Sequence, residues 1–425
     1  MDLTPSQRRT AAIAALLGNA LEWYDFAVYG YVASALGQAF FPAEVPALQT
    51  MATFGVFAVG YLMRPLGSLV LGPLGDLLGR RLMLTVSIVI MGLSSLGIGL
   101  LPTHAQIGMT AGLLLVLLRM LQGFSVGGEF TGSITYATEA AAVGHGGLLS
   151  SLATAGGLVG FSLGSLSAAL IGWLVGDAAM ASGGWRLPFL LGAGVALLGL
   201  WMRSAMPETL EAHVCSEPAL PLAQAMGRRL QQVALQWRLV LRVMALVSFA
   251  NVVFYVSFVY LVDHAGQQSG SSAAANTIST VMQTLGLPLV VLGGHLADRL
   301  GLIASNRWGN LLLLLITPLA LLVGQGGSLL ELGLAQGLVL LPLMATMGAQ
   351  GVMGVALVPA DQRCAVFSIA YSLAMALFAG TSPLVASWLV DELHWSWGTP
   401  LYCLAYGAAA LWAVQASRRS LHPPS

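Results

Sequence analysis

Several stretches of this chain leave water nothing to solvate. Leu82 to Leu101 and Leu311 to Val323 contain no charged residue and no continuous polar face. A helix crossing a ~30 Å hydrocarbon core needs about 20 apolar residues, and the chain supplies that pattern again and again. Hydrophobic residues make up 57% of the sequence and charged residues 8%, against about one-quarter charged in soluble domains. The bilayer is therefore the expected solvent, and an all-α integral membrane fold follows, because an isolated strand leaves its backbone groups unsatisfied in lipid.

Cutting the sequence at polar and Gly/Pro breaks gives twelve spans, beginning near Ala11, Gln49, Leu82, Met109, Gly147, Leu187, Leu239, Ala274, Trp308, Leu329, Cys364 and Thr399. All 17 basic residues are Arg. They cluster at the N-terminus, after spans two, six, eight and ten, and at the C-terminus. The positive-inside rule makes those segments cytoplasmic and puts both termini on that side. The long polar stretch with Glu208, Glu211, Glu217, Arg228 and Arg229 divides the chain. The expected units are a six-helix bundle over residues 1–204, a cytoplasmic linker over 205–237 and a second six-helix bundle over 238–425. The first apolar segment holds Glu22 and Asp25, which fits a retained span better than a cleaved signal peptide, and no appended soluble domain is expected.

A net charge of zero gives no reason to expect nucleic acid as a partner. Cys215, Cys364 and Cys403 lack metal-ligand spacing, and there is no Gly-x-x-x-x-Gly-Lys loop or His/Cys cluster. No metal, cofactor or enzymatic activity is expected. An internal repeat points to transport instead. Gly72-x-x-x-Asp76-x-x-Gly79-Arg80-Arg81 closes span two, and Gly294-x-x-x-Asp298-Arg299-x-Gly301 closes span eight. Repeated halves of this kind build the central site of many secondary transporters.

The charges inside the spans single out a site. In span one, Asn19, Glu22, Asp25 and Tyr29 share one face, and in span four Arg119, Gln122 and Glu129 do. Counting about 1.5 Å per residue puts Glu22 and Asp25 ~16 to 21 Å deep and Arg119 ~15 Å deep from the opposite side. Arg119 is expected to face Glu22 or Asp25, and Arg64 to be balanced by Glu129. Two carboxylates beside one arginine leave an excess negative charge that one proton removes, so Asp25 or Glu22 is the candidate proton carrier. A purely structural ion pair locking two helices is the other reading. In span seven Ser248, Asn251, Tyr255 and Phe258 share a face suited to a small solute, with Gln283 and Gln350 as further neutral polar candidates. His264 and His295 read as interface or loop residues.

The loop Gly72 to Arg81 resembles the signature of the major facilitator superfamily. Gly18 to Phe26, Arg64-Pro65-Leu66-Gly67, Arg119 to Phe130 and Gly184 to Phe189 resemble its metabolite:proton symporter branch, as do Pro359, Arg363, Tyr371 and Gly380 to Pro383. The sequence departs from that pattern at Leu77, Ala356 and Ser372, and the loop from Ala140 to Gly147 carries no arginine. The resemblance implies a carrier of two six-helix bundles, in a bacterial inner membrane, taking up organic acids or zwitterions with protons; a monomer is expected. Asn19, Tyr29, Arg64, Arg119, Gln122, Asn251, Tyr255, Gln283, Gln350 and Tyr371 are the substrate-site candidates. Glu22, Asp25, Arg119 and Glu129 are those for coupling. Gly72, Asp76, Gly79, Arg80, Arg81, Asp298 and Arg299 are those for gating. An exporter or antiporter on the same fold, and a receptor without flux, remain the alternatives at this level.

Overall fold

The computed structural model describes residues 5–42, 46–78, 80–127, 129–142, 144–204, 224, 227, 231, 233–359 and 363–421. Within these, side chains are described except at 5–15, 46–47, 72–78, 80–84, 129, 140, 201–204, 364–365 and 419–421. The linker expected at 205–237 falls almost entirely outside them.

Twelve helical rods are present among the described residues. They are α1 (Pro5–Tyr31, resuming as Ala33–Phe40), α2 (Pro46–Leu62 and Arg64–Leu78), α3 (Arg80–Leu100), α4 (Thr110–Ser125 and Glu129–Ala140), α5 (Gly146–Val175) and α6 (Arg186–Ser204). The second half holds α7 (Trp237–Tyr255, Val256–Tyr260, Leu261–Ser269), α8 (Ser272–Leu300), α9 (Leu302–Gly324) and α10 (Leu329–Leu357). It closes with α11 (Arg363–Ala374, Met375–Ala379, Ser382–Ser387, Trp388–Glu392) and α12 (Gly398–Leu421). Among the described residues eight of these are long and apolar enough to cross a membrane, and nine if the bent pair leading into α6 is one span. The other three have local reasons for falling short: α1 carries its polar stripe, the apolar part of α3 described is only Thr85–Leu100, and α12 is interrupted by Thr399, Pro400, Tyr402, Tyr406 and Gln415.

Leu302, rather than Trp308, begins α9. The earlier start is possible because Asn306 turns inward and donates to the carbonyls of Leu302 and Ala349. That satisfies the N–H groups of this buried amide.

Close crossings fix how the rods meet. A Cβ on Gly67 or Gly123 would collide with the backbone of Phe124 or Gly60, so α2 and α4 are in backbone contact just where each carries its arginine. The residues following Tyr255 in α7 and Tyr371 in α11 pass through π-helical turns, Val256–Tyr260 and Met375–Ala379. Such turns often mark functional positions in a helix.

The two halves are tied at both ends. At the end bearing the termini, Asp298 of α8 accepts hydrogen bonds from the backbone N–H groups of Gly147 (2.7 Å) and Leu148 (2.8 Å) at the start of α5. Nearby Arg363 reaches Glu139 at 3.0 Å. At the far end Ser34 donates its backbone N–H to Asp263 (3.1 Å), and Asn276 donates to the carbonyl of Tyr31 (3.2 Å). The layer between these ties is enclosed.

Candidate functional site

The centre of the first half is a buried group of two acids and two arginines. Glu22 and Asp25 project from α1, Arg64 opens the second segment of α2 after the break at Met63, and Arg119 lies in α4; all four are buried. Arg64 sits 3.6 Å from Glu22. Its guanidinium lies over the rings of Trp23 (4.6 Å), Tyr61 (5.6 Å) and Phe26 (5.7 Å). Arg119 is packed between Tyr29 (4.3 Å) and Phe26 (4.6 Å) and donates to the Oε1 of Gln122 at 2.8 Å. Gln122 passes the chain on to the hydroxyl of Ser95 at 2.8 Å. Aromatic faces thus hold two cations in a desolvated layer, where such contacts are worth up to about 2 kcal/mol each.

Of the two acids expected to face Arg119, the geometry favours Asp25. Glu22 has Arg64, and Arg119 is within electrostatic reach of Asp25, which takes the Ser95 hydroxyl as its hydrogen-bond neighbour. Arg64 has Glu22 as a partner; the balance expected for it from Glu129 falls on a side chain outside those described. The Oδ1 of Asp25 has no hydrogen-bond donor. Gly192 of α6 is packed against that oxygen and leaves no room for a side chain. Glu22 and Asp25 both open onto a cavity of about 20 Å³ beside Ser87 and Met91, enough for one water.

A second polar group lies across the interface between the halves. The hydroxyls of Tyr61 and Tyr255 are hydrogen-bonded to each other, and Tyr255 is walled by Phe57, Phe161 and Phe254. Tyr371 packs against Phe130 at 5.3 Å, has Asn251 as its hydrogen-bond neighbour and feels the charges of Arg64 and Glu22. Asn251 also donates to the carbonyl of Val247.

The remaining candidates are dispersed. Asn19 ties α1 to α4 and α5 through Ser133 (2.9 Å) and the carbonyl of Ala153 (2.8 Å). Gln283 donates to the Tyr31 hydroxyl, further towards the far end. Gln350 is buried in α10 with its Oε1 unpartnered, and the Tyr29 hydroxyl is unpartnered too. Arg299 is exposed beside Asp298. Gly72, Asp76, Gly79, Arg80 and Arg81 lie outside the described side chains. Arg186 donates to the carbonyls of Gly99 and Leu101 and so satisfies the end of α3. Trp23, Phe26, Tyr61 and Ser95 are site residues that the charge pattern alone did not bring forward. The signal available for Tyr61 was its position three residues before Arg64, on one helix face.

Comparison with known proteins fits this arrangement. The chain is 36% identical over 393 residues to a glycine betaine/proline/ectoine/pipecolic acid transporter of Dickeya dadantii, covering 90% of this chain and 78% of that one. It is 34% identical over 398 residues to the proline/betaine transporter of Escherichia coli K12, with the same coverage of 90% and 78%. The structure of the xylose transporter of E. coli in a partially occluded inward-open conformation superposes with a TM-score of 0.73 at 19% identity, over 99% of this chain and 98% of that one. The chain belongs to the major facilitator superfamily. Residues 10–214 also match the sequence model of the "Sugar (and other) transporter" family. As a superfamily member it is a multi-pass membrane transporter and not an enzyme, and its twelve rods are the two six-helix bundles of that fold.

Proposed function

We propose that this transporter takes up a small organic acid or zwitterion together with a proton, by alternating access between its two bundles. It acts as a monomer in a bacterial inner membrane with both termini cytoplasmic. The observation that carries this reading is the charge count of the buried layer. Among the described residues Glu22 and Asp25 stand against Arg64 and Arg119, and these four charges cancel. A substrate carboxylate arriving at Arg64 brings one negative charge too many into a low-dielectric site. A proton arriving alone brings one positive charge too many. Both together restore neutrality, and buried uncompensated charge is what such sites avoid.

The residues divide the work accordingly. Arg64, held flat by Trp23 and Tyr61, offers the fork that binds a carboxylate with two parallel hydrogen bonds. It faces the interface where Tyr61, Tyr255, Asn251 and Tyr371 enclose a small solute. Asp25, with one oxygen unpartnered and Arg119 already engaged by Gln122, takes the proton. The one-water cavity shared with Glu22 gives the proton a path between the acids, which titrate as a coupled pair. Asp298 at the start of α5 holds the end bearing the termini closed while this happens. The substrates in the names of the relatives, betaine and proline among them, are zwitterions, and the count applies to their carboxylate end with the cationic nitrogen held outside the charged layer.

The test is transport in proteoliposomes with an imposed pH gradient, using proline, glycine betaine, citrate and 2-oxoglutarate in turn. Wild-type protein accumulates its substrate uphill when the outside is acid. Asp25→Asn loses that accumulation and keeps exchange of internal for external substrate. Uphill accumulation surviving in both Asp25→Asn and Glu22→Gln rules out either acid as the carrier.

A further inference from the structure

The outer segment of α7 carries a histidine that takes no part in the central layer. The His264 side chain is 11% exposed, and both of its ring nitrogens meet acceptor oxygens. Nδ1 lies 3.3 Å from the Asp391 carboxylate of α11, and Nε2 lies 3.4 Å from the backbone carbonyl of Gln325 in the turn between α9 and α10. A neutral imidazole has one N–H and one lone pair. Whichever nitrogen holds the hydrogen, the other then turns its lone pair towards an acceptor, and only the imidazolium donates to both. The two acceptors are themselves held in place. Asp391 also accepts from Tyr260 (3.1 Å) and Ser387 (2.8 Å), and the Gln325 side chain donates to the carbonyl of Ser396 (3.0 Å). Among the described residues the charged and titratable groups that face the ring are Asp391 from α11 and Tyr260 and Asp263 from α7 itself. The turn between α9 and α10 brings only the Gln325 carbonyl and the uncharged Gly327 and Gln268 contact, and the Glu331 carboxylate that follows it is engaged by the Ser328 N–H.

We propose that His264 is a proton-binding site at the far end, separate from Asp25, whose protonation fastens the outer segment of α7 to the second half. That segment has contacts with both halves. Asp263 accepts the Ser34 N–H and Gln267 donates to the hydroxyl of Thr50 in α2 (3.3 Å), both in the first half. His264, next in sequence to Asp263, holds α11 and the turn between α9 and α10 in the second. The link between the halves therefore runs in series, from Ser34 to Asp263, along one residue of helix, and from His264 to Asp391. A series link is as strong as its weaker member. Charged His264 keeps Asp263 where it meets Ser34, whereas neutral His264 gives up one of two hydrogen bonds and its attraction to Asp391. The tie is complete below the titration of His264 and is lost as pH rises through it, so the far end opens more readily in alkaline than in acid surroundings. Histidine suits this task because its charge ordinarily changes at about pH 6.5. The site adjusts access at the far end and does not carry the coupled proton, so it stands whether or not Asp25 does.

The test is the distance between spin labels at Ala105→Cys and Leu330→Cys, exposed positions at the far end of the first and second halves, with the native cysteines changed to Ala. Double electron–electron resonance is recorded in lipid nanodiscs at about pH 5.5 and about pH 8, on either side of the histidine range. The long-distance fraction, which reports the open far end, is expected to be about five-fold larger at the higher pH, the size of one partly exposed hydrogen bond to a charged group. His264→Gln, which keeps an N–H and cannot become charged, is expected to show the high-pH distribution at both values. Asp391→Asn, whose amide still bonds Tyr260 and Ser387, is expected to lose most of the response. Asp25→Asn, which removes titration at that acid of the central layer, is expected to keep it. Imidazole nitrogen resonances, with the His264 signal identified by its loss in His264→Gln, are expected to show both nitrogens protonated at the lower pH and one at the higher. The proposal is overturned if Asp25→Asn shows no pH response, if His264→Gln keeps the response, or if the His264 ring has the same protonation at both values. Loss of uphill accumulation in Asp25→Asn with the far-end response intact separates this site from the coupling site.

Discussion

Arg64 and Glu22 are the pair on which the charge count rests, and their energetic connection is measurable. Their side chains are 2% and 6% exposed and 3.6 Å apart, so this is a buried pair and not a screened surface contact. Replacing Arg64 by Gln leaves Glu22 charged in a dry layer without its arginine, a change that costs about 3 to 5 kcal/mol when one member of a buried pair is removed. Glu22→Gln strands the arginine in the same way, softened by the Trp23 and Tyr61 rings. Changing both residues to Gln removes both charges at once, and substitution of a whole buried pair is close to neutral. The double variant is therefore expected to be more stable than Arg64→Gln alone, with a coupling of about 3 kcal/mol across the cycle. The assay is unfolding of the four proteins by titration with sodium dodecyl sulfate in mixed micelles, followed by tryptophan fluorescence. The double variant still has Asp25 and Arg119 in balance, so it is expected to fold and to bind no carboxylate substrate. If the two single losses simply add in the double variant, the residues are not energetically paired and the neutral-layer reasoning is wrong.

Other expectations follow from single contacts. Tyr255→Phe leaves the buried Tyr61 hydroxyl without its partner across the interface, at a cost of about 1 to 3 kcal/mol; a fall in the enclosed population, seen as faster hydrogen exchange in α2 and α7, is the check. Asp298→Ala removes the acceptor for two backbone N–H groups at the start of α5 and is expected to raise thiol labelling at the end bearing the termini, while substrate affinity stays within about two-fold. Gly192→Ala forces a methyl group onto the Asp25 carboxylate, so loss of coupled transport with normal membrane insertion is expected, read by uptake and expression together. A reporter fused at Ser425 is expected to report a cytoplasmic C-terminus.

The rods were legible in the sequence because hydrocarbon thickness sets a length that no side-chain detail can change. Pro46–Leu62 with Arg64–Leu78, Gly146–Val175 and Leu329–Leu357 all begin within a few residues of the expected starts. The membership of the buried layer was legible too, since few charged residues interrupt apolar spans. Which acid goes with which arginine was not. Counting along straight helices put Glu22 and Asp25 level with Arg119 and did not bring Arg64 to Glu22. It ignored the length of the arginine side chain, which reaches across more than a ~5.4 Å helical turn, and the break at Met63, which restarts α2 at Arg64. Nor does a linear sequence show that Phe26 serves both guanidiniums. That sharing comes from the backbone contact of α2 with α4 at Gly60 and Gly123, a property of packing and not of any one residue.

The π-helical turn after Tyr255 sets the phase of everything beyond it. A five-residue turn holds one residue more than the hydrogen-bond pattern of an α-helix would, so the outer part of α7 is rotated by about 100° relative to a continuous helix. That offset lets Tyr255 meet Tyr61 while Asp263, two turns further on, meets Ser34. Deleting one residue from Val256–Tyr260 would shift the hydrogen-bond ladder back to the α pattern, leave the central tyrosine in place and turn Asp263 away from the opposite half. The inner and outer contacts of this helix are thus aligned by a single inserted residue, and a shift of that insertion along the chain would retime one contact without disturbing the other.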